Sequence, residues 1–331
     1  MHATVIACTT DMPRADWLEL RRNGIGSSDA AAITGHGKWS SPIGLYLDKT
    51  GALPLEEDEA DHLLIGRMLE PGVGQIFQHK HPELIVRPHP YLLAHPEHGW
   101  MLADLDFLAY ESPDAEPVAV VETKLAAYSK DQWGDDAQNA EDGIPQQYWI
   151  QVQHQLAVTG LSHAWVVVLH NIYEYAEKLI VADPAVMAGL IVNEERFWQR
   201  VIDRRPPPAD GTDATNKALK DAYRNNTSGE AVVLPDEALT YRTLYEDAAG
   251  VEKQGKAGKQ LAANELMALL GEHEVGLGPD GFTPIVTWKR TCPPSFDEEA
   301  FAVEHPDLYA AFKRPSPRRT IRFPKIKERT R

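Results

Sequence analysis

The sequence predicts an α/β fold: a central mixed β-sheet flanked by helices, followed by a mainly helical C-terminal extension. Three observations carry this. Between residues 83 and 124 the chain breaks into short segments rich in apolar and β-branched residues, separated by Pro, Gly, Asp and His as meander strands are. Segments of helical spacing lie before and after them. The run Pro206-Pro207-Pro208 then marks a boundary, giving a domain over 1–208 and an accessory region over 209–331.

The elements follow in order. Asp16–Arg22 reads as a helix, and Gly24–Asp29 as a tight turn into a small-residue helix, Ala30–Thr34, with Ser27 or Ser28 as its cap. Ser41-Pro42 opens a second short helix that ends at Gly51. A longer helix runs from about Ala60 to His79, with a bend expected at Pro71. Strands are expected at Glu83–Arg87, Trp100–Ala103, Phe107–Tyr110 and Val118–Lys124. Ser129–Ala140 reads as a helix, and a further helix runs from Ile144-Pro145 to Val158, closed by Gly160. His163–His170 and Tyr173–Val181 are a strand pair, and Asp183-Pro184 starts a long amphipathic helix to Arg204-Arg205. Beyond the prolines, 209–229 reads as linker and 236–270 as a helical hairpin. A strand at Thr283–Lys289 and a last helix at Asp297–Lys313 complete the chain.

Composition narrows the class. With 43% hydrophobic and 25% charged residues, the 331-residue chain is globular and long enough for one large core plus an accessory region. No apolar run approaches the roughly 18–20 residues that span a bilayer. The N-terminus has neither a basic start nor a long apolar stretch, so the expected location is cytoplasmic. Two distant cysteines, Cys8 and Cys292, exclude a disulfide framework and a cysteine-held metal cluster. The net charge of −16 is unevenly spread: Lys313–Arg331 holds nine Lys or Arg and one Glu, so a +8 tail follows a body of −24.

The chemistry centres on Val118-Ala-Val-Val-Glu122-Thr123-Lys124. Residues i and i+2 of a strand face the same side, so Glu122 and Lys124 project together about 6–7 Å apart. A carboxylate there can fix Mg²⁺, while the ammonium orients or deprotonates a water or steadies charge on the phosphorane. Taken alone, the pair reads equally as a same-face ion pair. Asp106, in Ala103-Asp104-Leu105-Asp106-Phe107, lies just upstream, and on adjacent meander strands it can share one ion with Glu122. Asp104 stays open between a turn residue and a supporting group. Gln151 and Gln155 share one helical face at i, i+4. Glu70, in Gly66-Arg-Met-Leu-Glu70, sits on a helix that could lean over the sheet.

Asp followed by Glu-X-Lys after a hairpin is the PD-(D/E)XK arrangement, with Leu105 in place of the usual Pro. In order and spacing over about residues 14–208, the sequence resembles the YqaJ-type viral recombinase family, relatives of the phage lambda exonuclease. The matching pieces are Trp17-Leu-Glu-Leu-Arg21 with Gly24-Ile-Gly-Ser-Ser28-Asp, Gly66-Arg-Met-Leu-Glu70, Leu105-Asp106, Val121-Glu122-Thr-Lys124, and Tyr148-Trp-Ile-Gln151-Val-Gln-His-Gln155-Leu-Ala-Val-Thr-Gly160. Phe197-Trp198 followed by the proline run resembles the end of that module.

The resemblance implies roles. Asp106, Glu122 and the Thr123 carbonyl would bind the metal, with Glu70 and Gln151 completing the site and Lys124 assisting the water. Arg21 and Ser28 match positions that hold a 5′-terminal phosphate, and Lys130 stands where the family carries a basic phosphate contact. The implied activity is Mg²⁺-dependent 5′→3′ exonuclease action on one strand of linear duplex DNA, leaving a 3′ overhang for annealing; Mn²⁺ also suits the oxygen ligands. Implied partners are double-stranded DNA ends, a single-strand annealing protein and further copies of the chain in a trimeric ring, in a phage or prophage setting within a bacterial host. An endonuclease on the same core, and a catalytically degenerate DNA- or partner-binding protein, are the alternatives.

Overall fold

A computed structural model describes residues 2–55, 60–127, 133–134, 140–141, 143–224, 230–314 and 319–324. The chain divides into two compact units, Met1–Tyr223 and Arg224–Arg331.

The first unit opens with β1 (Thr4–Cys8), α1 (Arg14–Arg22), β2 (Ile25–Gly26), α2 (Ala30–Ile33), α3 (Pro42–Lys49) and α4 (Asp61–Lys80). Then come β3 (Ile85–Pro88), β4 (Tyr91–Ala94), β5 (Met101–Ala103), β6 (Phe107–Tyr110), β7 (Pro117–Ala126), β8 (Ala140–Glu141) and β9 (Ile144–Pro145). It closes with α5 (Gln146–Thr159), β10 (His163–His170), β11 (Glu174–Val181), α6 (Pro184–Ile202) and α7 (Asp213–Ala222).

The main sheet has the order β11-β10-β7-β6-β3. Only β7 and β10 run parallel, with Glu122 opposite Val166, and the other pairs are antiparallel. The helix α5 makes the crossover that a parallel pair requires. Side chains alternate along β7. Val120 packs with Val152 and Leu156 of α5, whereas Ala119 and Val121 pack with Val73 and Phe77 of α4. The sheet is therefore sandwiched, and both its faces are apolar, as for strands buried on both sides. A second sheet has the order β1-β4-β5-β2.

Local chemistry fixes the helix ends. Ser41 accepts from the Gly44 N–H with Pro42 in the first turn, and Asp183 accepts from the N–H groups of Ala185 and Val186 ahead of Pro184. Gly160 ends α5 in the left-handed region, at φ 69°. Gly74 lets α4 lie close against the sheet: a Cβ there would lie 2.6 Å from the Phe107 ring.

The structure departs from the sequence expectations in several places. The edge strand β1 and the four-residue β4 were not expected; β1 is mostly exposed and so shows no buried alternation. Ile144-Pro145 forms a bridge with β8 instead of starting the helix, which begins at Gln146. Most of the expected helix Ser129–Ala140 lies outside the described residues. The expected linker contains α7: Thr212 caps it, the Thr215 hydroxyl donates to Ser41 Oγ at 2.7 Å, and Ala218 and Leu219 pack onto the cluster holding Ile43 and Tyr46. The helix α7 thus belongs to the first compact unit, which ends at Tyr223.

In the second unit, 237–270 is one 34-residue helix, α8 (Glu237–Leu270), not a hairpin. Ion pairs at i, i+4, Arg242–Glu246 and Glu252–Lys256, support it across its glycines. A hairpin of β12 (Val275–Leu277) and β13 (Pro284–Thr287) follows. The expected last helix is two, α9 (Glu298–Glu304) and α10 (Pro306–Phe312), because Pro306 cannot donate to the preceding turn and instead starts a new one.

Candidate active site

Glu122 is the centre of the site. It is 2% exposed on β7, on the face covered by α5. Lys124 Nζ donates to its Oε1 at 2.5 Å, Gln151 Nε2 to the same oxygen at 2.6 Å, and Gln155 Nε2 to Oε2 at 2.7 Å. The i, i+2 spacing on the strand and the i, i+4 spacing on the helix together deliver three donors to one carboxylate. The Lys124 ammonium also lies 5.0 Å over the Tyr148 ring.

Asp106 stands one residue before β6. Its Oδ2 accepts from the backbone N–H of Thr123 at 2.7 Å and from the Thr123 hydroxyl at 2.8 Å. Strand alternation turns Thr123 away from Glu122, as expected. Its hydroxyl is nevertheless engaged in the site, because Asp106 lies off the strand end on the α4 side. Glu70 of α4 hydrogen-bonds with Asp106 from that side.

The carboxylates repel one another. Burial first, and then the charge of Glu122, pushes Glu70 up to about 7. Burial with Glu122 and Glu70 raises Asp106 well above the usual carboxylate range. Asp104 is raised by burial against the bond from Trp17 Nε1, at 3.0 Å. Burial opposes the charge of Lys124, but Glu122 and Asp106 outweigh it and hold the ammonium above its ordinary value.

Arg21 and Ser28 also meet. Arg21 Nη2 donates to Ser28 Oγ at 2.9 Å, and its guanidinium lies 4.8 Å over the Trp17 ring. Neither Ser27 nor Ser28 caps a helix here; Asp29 Oδ2 accepts the Gly26 N–H at 2.9 Å. Lys49 Nζ reaches Asp29 at 2.8 Å and the Arg21 carbonyl at 2.9 Å, tying the turn to α3. Charge interactions pull Asp29 below its usual range even though burial opposes them. Trp17 joins the two halves, touching Arg21 through its ring and Asp104 through its N–H. Lys130 lies outside the described residues.

Asp29 and Lys49 carry no site role in the sequence reading. Gln155 was visible as the i+4 partner of Gln151. Nothing in spacing links Lys49 to Asp29 twenty residues before it.

Among the described residues, no three His, Cys, Asp or Glu side chains are arranged as a ready metal cluster. The donor chemistry fits a hard divalent ion nonetheless. Mg²⁺ takes one or two carboxylates and completes its shell with water and phosphate oxygens. Asp106 and Glu122 supply two carboxylates in a site with excess negative charge.

The sheet sets Asp106 before β6 and Glu122-X-Lys124 on the neighbouring β7. Residues 16–162 match the family described as the YqaJ-like viral recombinase domain. The chain is 28% identical over 325 residues to the uncharacterized protein YqaJ of Bacillus subtilis (strain 168), covering 95% of each. It is also similar to the crystal structure of an alkaline exonuclease, LHK-Exo, from Laribacter hongkongensis, with 18% identity, TM-score 0.43, and coverage of 58% of this chain and 94% of that one. The same exonuclease in complex with dAMP gives 17% identity and TM-score 0.44 over the same shares. No helix among the described residues is long and apolar enough to cross a membrane.

Proposed function

We propose that the chain is a Mg²⁺-dependent exodeoxyribonuclease that removes nucleotides 5′→3′ from one strand of linear duplex DNA and leaves a 3′ overhang for annealing. The observation that carries this is the convergence of Lys124, Gln151 and Gln155 on Glu122, with Asp106 close enough for its proton affinity to be raised by Glu122. A purely structural Glu–Lys pair on a strand needs no second buried carboxylate beside it, since repulsion destabilises the pair.

In this reading Asp106, Glu122 and the Thr123 carbonyl hold the ion, and Glu70 completes the site from α4. The bound ion supplies Lewis-acid polarisation of the phosphodiester and a more acidic water. Lys124 orients the attacking water and steadies charge on the phosphorane. Gln151, 2.6 Å from Glu122, fixes the carboxylate and can turn its amide to the water. Arg21 and Ser28 bind the 5′-terminal phosphate, a guanidinium fork and a hydroxyl already in contact. The family resemblance extends the reading to a trimeric ring, a single-strand annealing partner and a phage or prophage origin; Mn²⁺ would serve in place of Mg²⁺.

The test uses end-labelled linear duplex with 5′-phosphate or 5′-hydroxyl ends and a covalently closed circle, each with Mg²⁺. Shortening of the 5′-phosphorylated strand, roughly ten- to a hundredfold faster than of the 5′-hydroxyl one, with the circle intact, is the expected result. Cutting of the circle would make the activity endonucleolytic.

A further inference from the structure

Charge is divided between the two units. Residues 1–223 hold 33 Asp or Glu against 17 Lys or Arg, which is the whole of the net −16, while residues 224–331 hold 16 of each. The unit with the candidate site therefore repels a polyanion everywhere except at local basic groups. The second unit is neutral only as a sum, since nine of its 16 basic residues lie in Lys313–Arg331.

Within that basic segment, Phe323 and Pro324 are seated on α8. The Phe323 ring lies 4.6 Å from the Tyr245 ring and 5.7 Å from the Arg242 guanidinium, both on α8. Arg242 Nη2 donates to the Pro324 carbonyl at 2.8 Å, while its Nε is held by Glu246 at 3.0 Å. Arg314, Arg319 and Arg322 are exposed. A tail that only improves solubility gains nothing from a seat, because ordering a chain is unfavourable. A seat does serve a segment whose cations must stay in one place.

We propose that Arg319 and Arg322, held near α8 by the seat of Phe323, form with the exposed Arg314 a second DNA contact that grips the phosphate backbone without regard to sequence. This rests on the DNA-acting reading above. Guanidinium groups suit phosphate oxygens, and binding of this kind releases counterions and weakens steeply with salt. The contact would hold duplex to a chain whose catalytic unit is acidic.

The experiment measures binding of a fluorescein-labelled duplex to the full chain by anisotropy in EDTA, across a NaCl series, with DNA degradation in Mg²⁺ assayed separately. The Arg314→Ala/Arg319→Ala/Arg322→Ala variant is expected to lose about tenfold in affinity at low salt, with the log–log salt slope flatter by about 2–3. Phe323→Ala, which keeps every charge, is expected to lose several-fold. Wild-type affinity and slope in both variants, from a wild type that degrades DNA, would overturn this contact alone and leave the tail to a protein partner. A wild type that neither binds nor degrades DNA would overturn the function as well.

Discussion

Trp17 donates its indole N–H to Asp104 at 3.0 Å while its ring carries the Arg21 guanidinium at 4.8 Å. One side chain thus joins the Arg21–Ser28 contact to the carboxylate cluster. Trp17→Phe keeps a ring beneath Arg21 and removes the donor from a largely buried carboxyl. The expected cost is about 1–3 kcal/mol of stability. Urea unfolding checks it, and an unchanged midpoint would mean that water already satisfies Asp104.

The contact of Gly74 with Phe107 sets how closely α4, and with it Glu70, approaches Asp106. A Cβ at 74 meets the ring at 2.6 Å, so Gly74→Ala must displace helix or ring. The expected loss is about 1–3 kcal/mol from overpacking. A variant as stable as wild type in thermal melts would show that the helix shifts freely.

Arg21 and Ser28 should separate 5′-phosphorylated from 5′-hydroxyl ends. A charge-assisted bond of about 1.5–3 kcal/mol corresponds to roughly ten- to a hundredfold. Arg21→Ala is expected to lose that much of the preference for 5′-phosphate in kcat/KM while leaving digestion of 5′-hydroxyl ends close to wild type. An equal loss on both substrates would instead assign Arg21 to holding the turn, where its guanidinium lies 3.6 Å from Asp29.

His154 carries a pH signature remote from the carboxylate cluster. Its Nδ1 faces Glu194 Oε1 at 2.9 Å and its Nε2 faces the Leu102 carbonyl at 3.0 Å. Both neighbours offer acceptor oxygens, which favours the doubly protonated ring. Burial opposes that charge, but Glu194 and the carbonyl raise the pKa above 6.5. A raised folded pKa gives stability that is complete below 6.5 and lost as pH rises through the folded value. Thermal midpoints across pH 6–9 should therefore fall more steeply for wild type than for Glu194→Gln. Parallel curves would show that the pair does not titrate.

The site was more legible in the sequence than the outline of the fold. Glu122, Lys124, Gln151 and Gln155 follow from periods of 2 and 3.6 residues, and the structure obeys both. The Asp29–Lys49 pair and the Trp17–Asp104 bond are long-range contacts that no local period encodes. The strand β1 escaped because it is a largely exposed edge, and α7 because its helical face is short and polar until Ala218 and Leu219 meet α3. The helix α8 reads as two because interior glycines weaken helix propensity, yet they do not break it.

The most direct measurement is release of nucleotides from linear duplex DNA by wild type, Glu122→Gln and Lys124→Ala, each with Mg²⁺ and with EDTA. The account predicts digestion by wild type only with Mg²⁺, and a loss of at least about a hundredfold in each variant. Digestion by Glu122→Gln at the wild-type rate, or a wild type inert with every divalent metal, would contradict it.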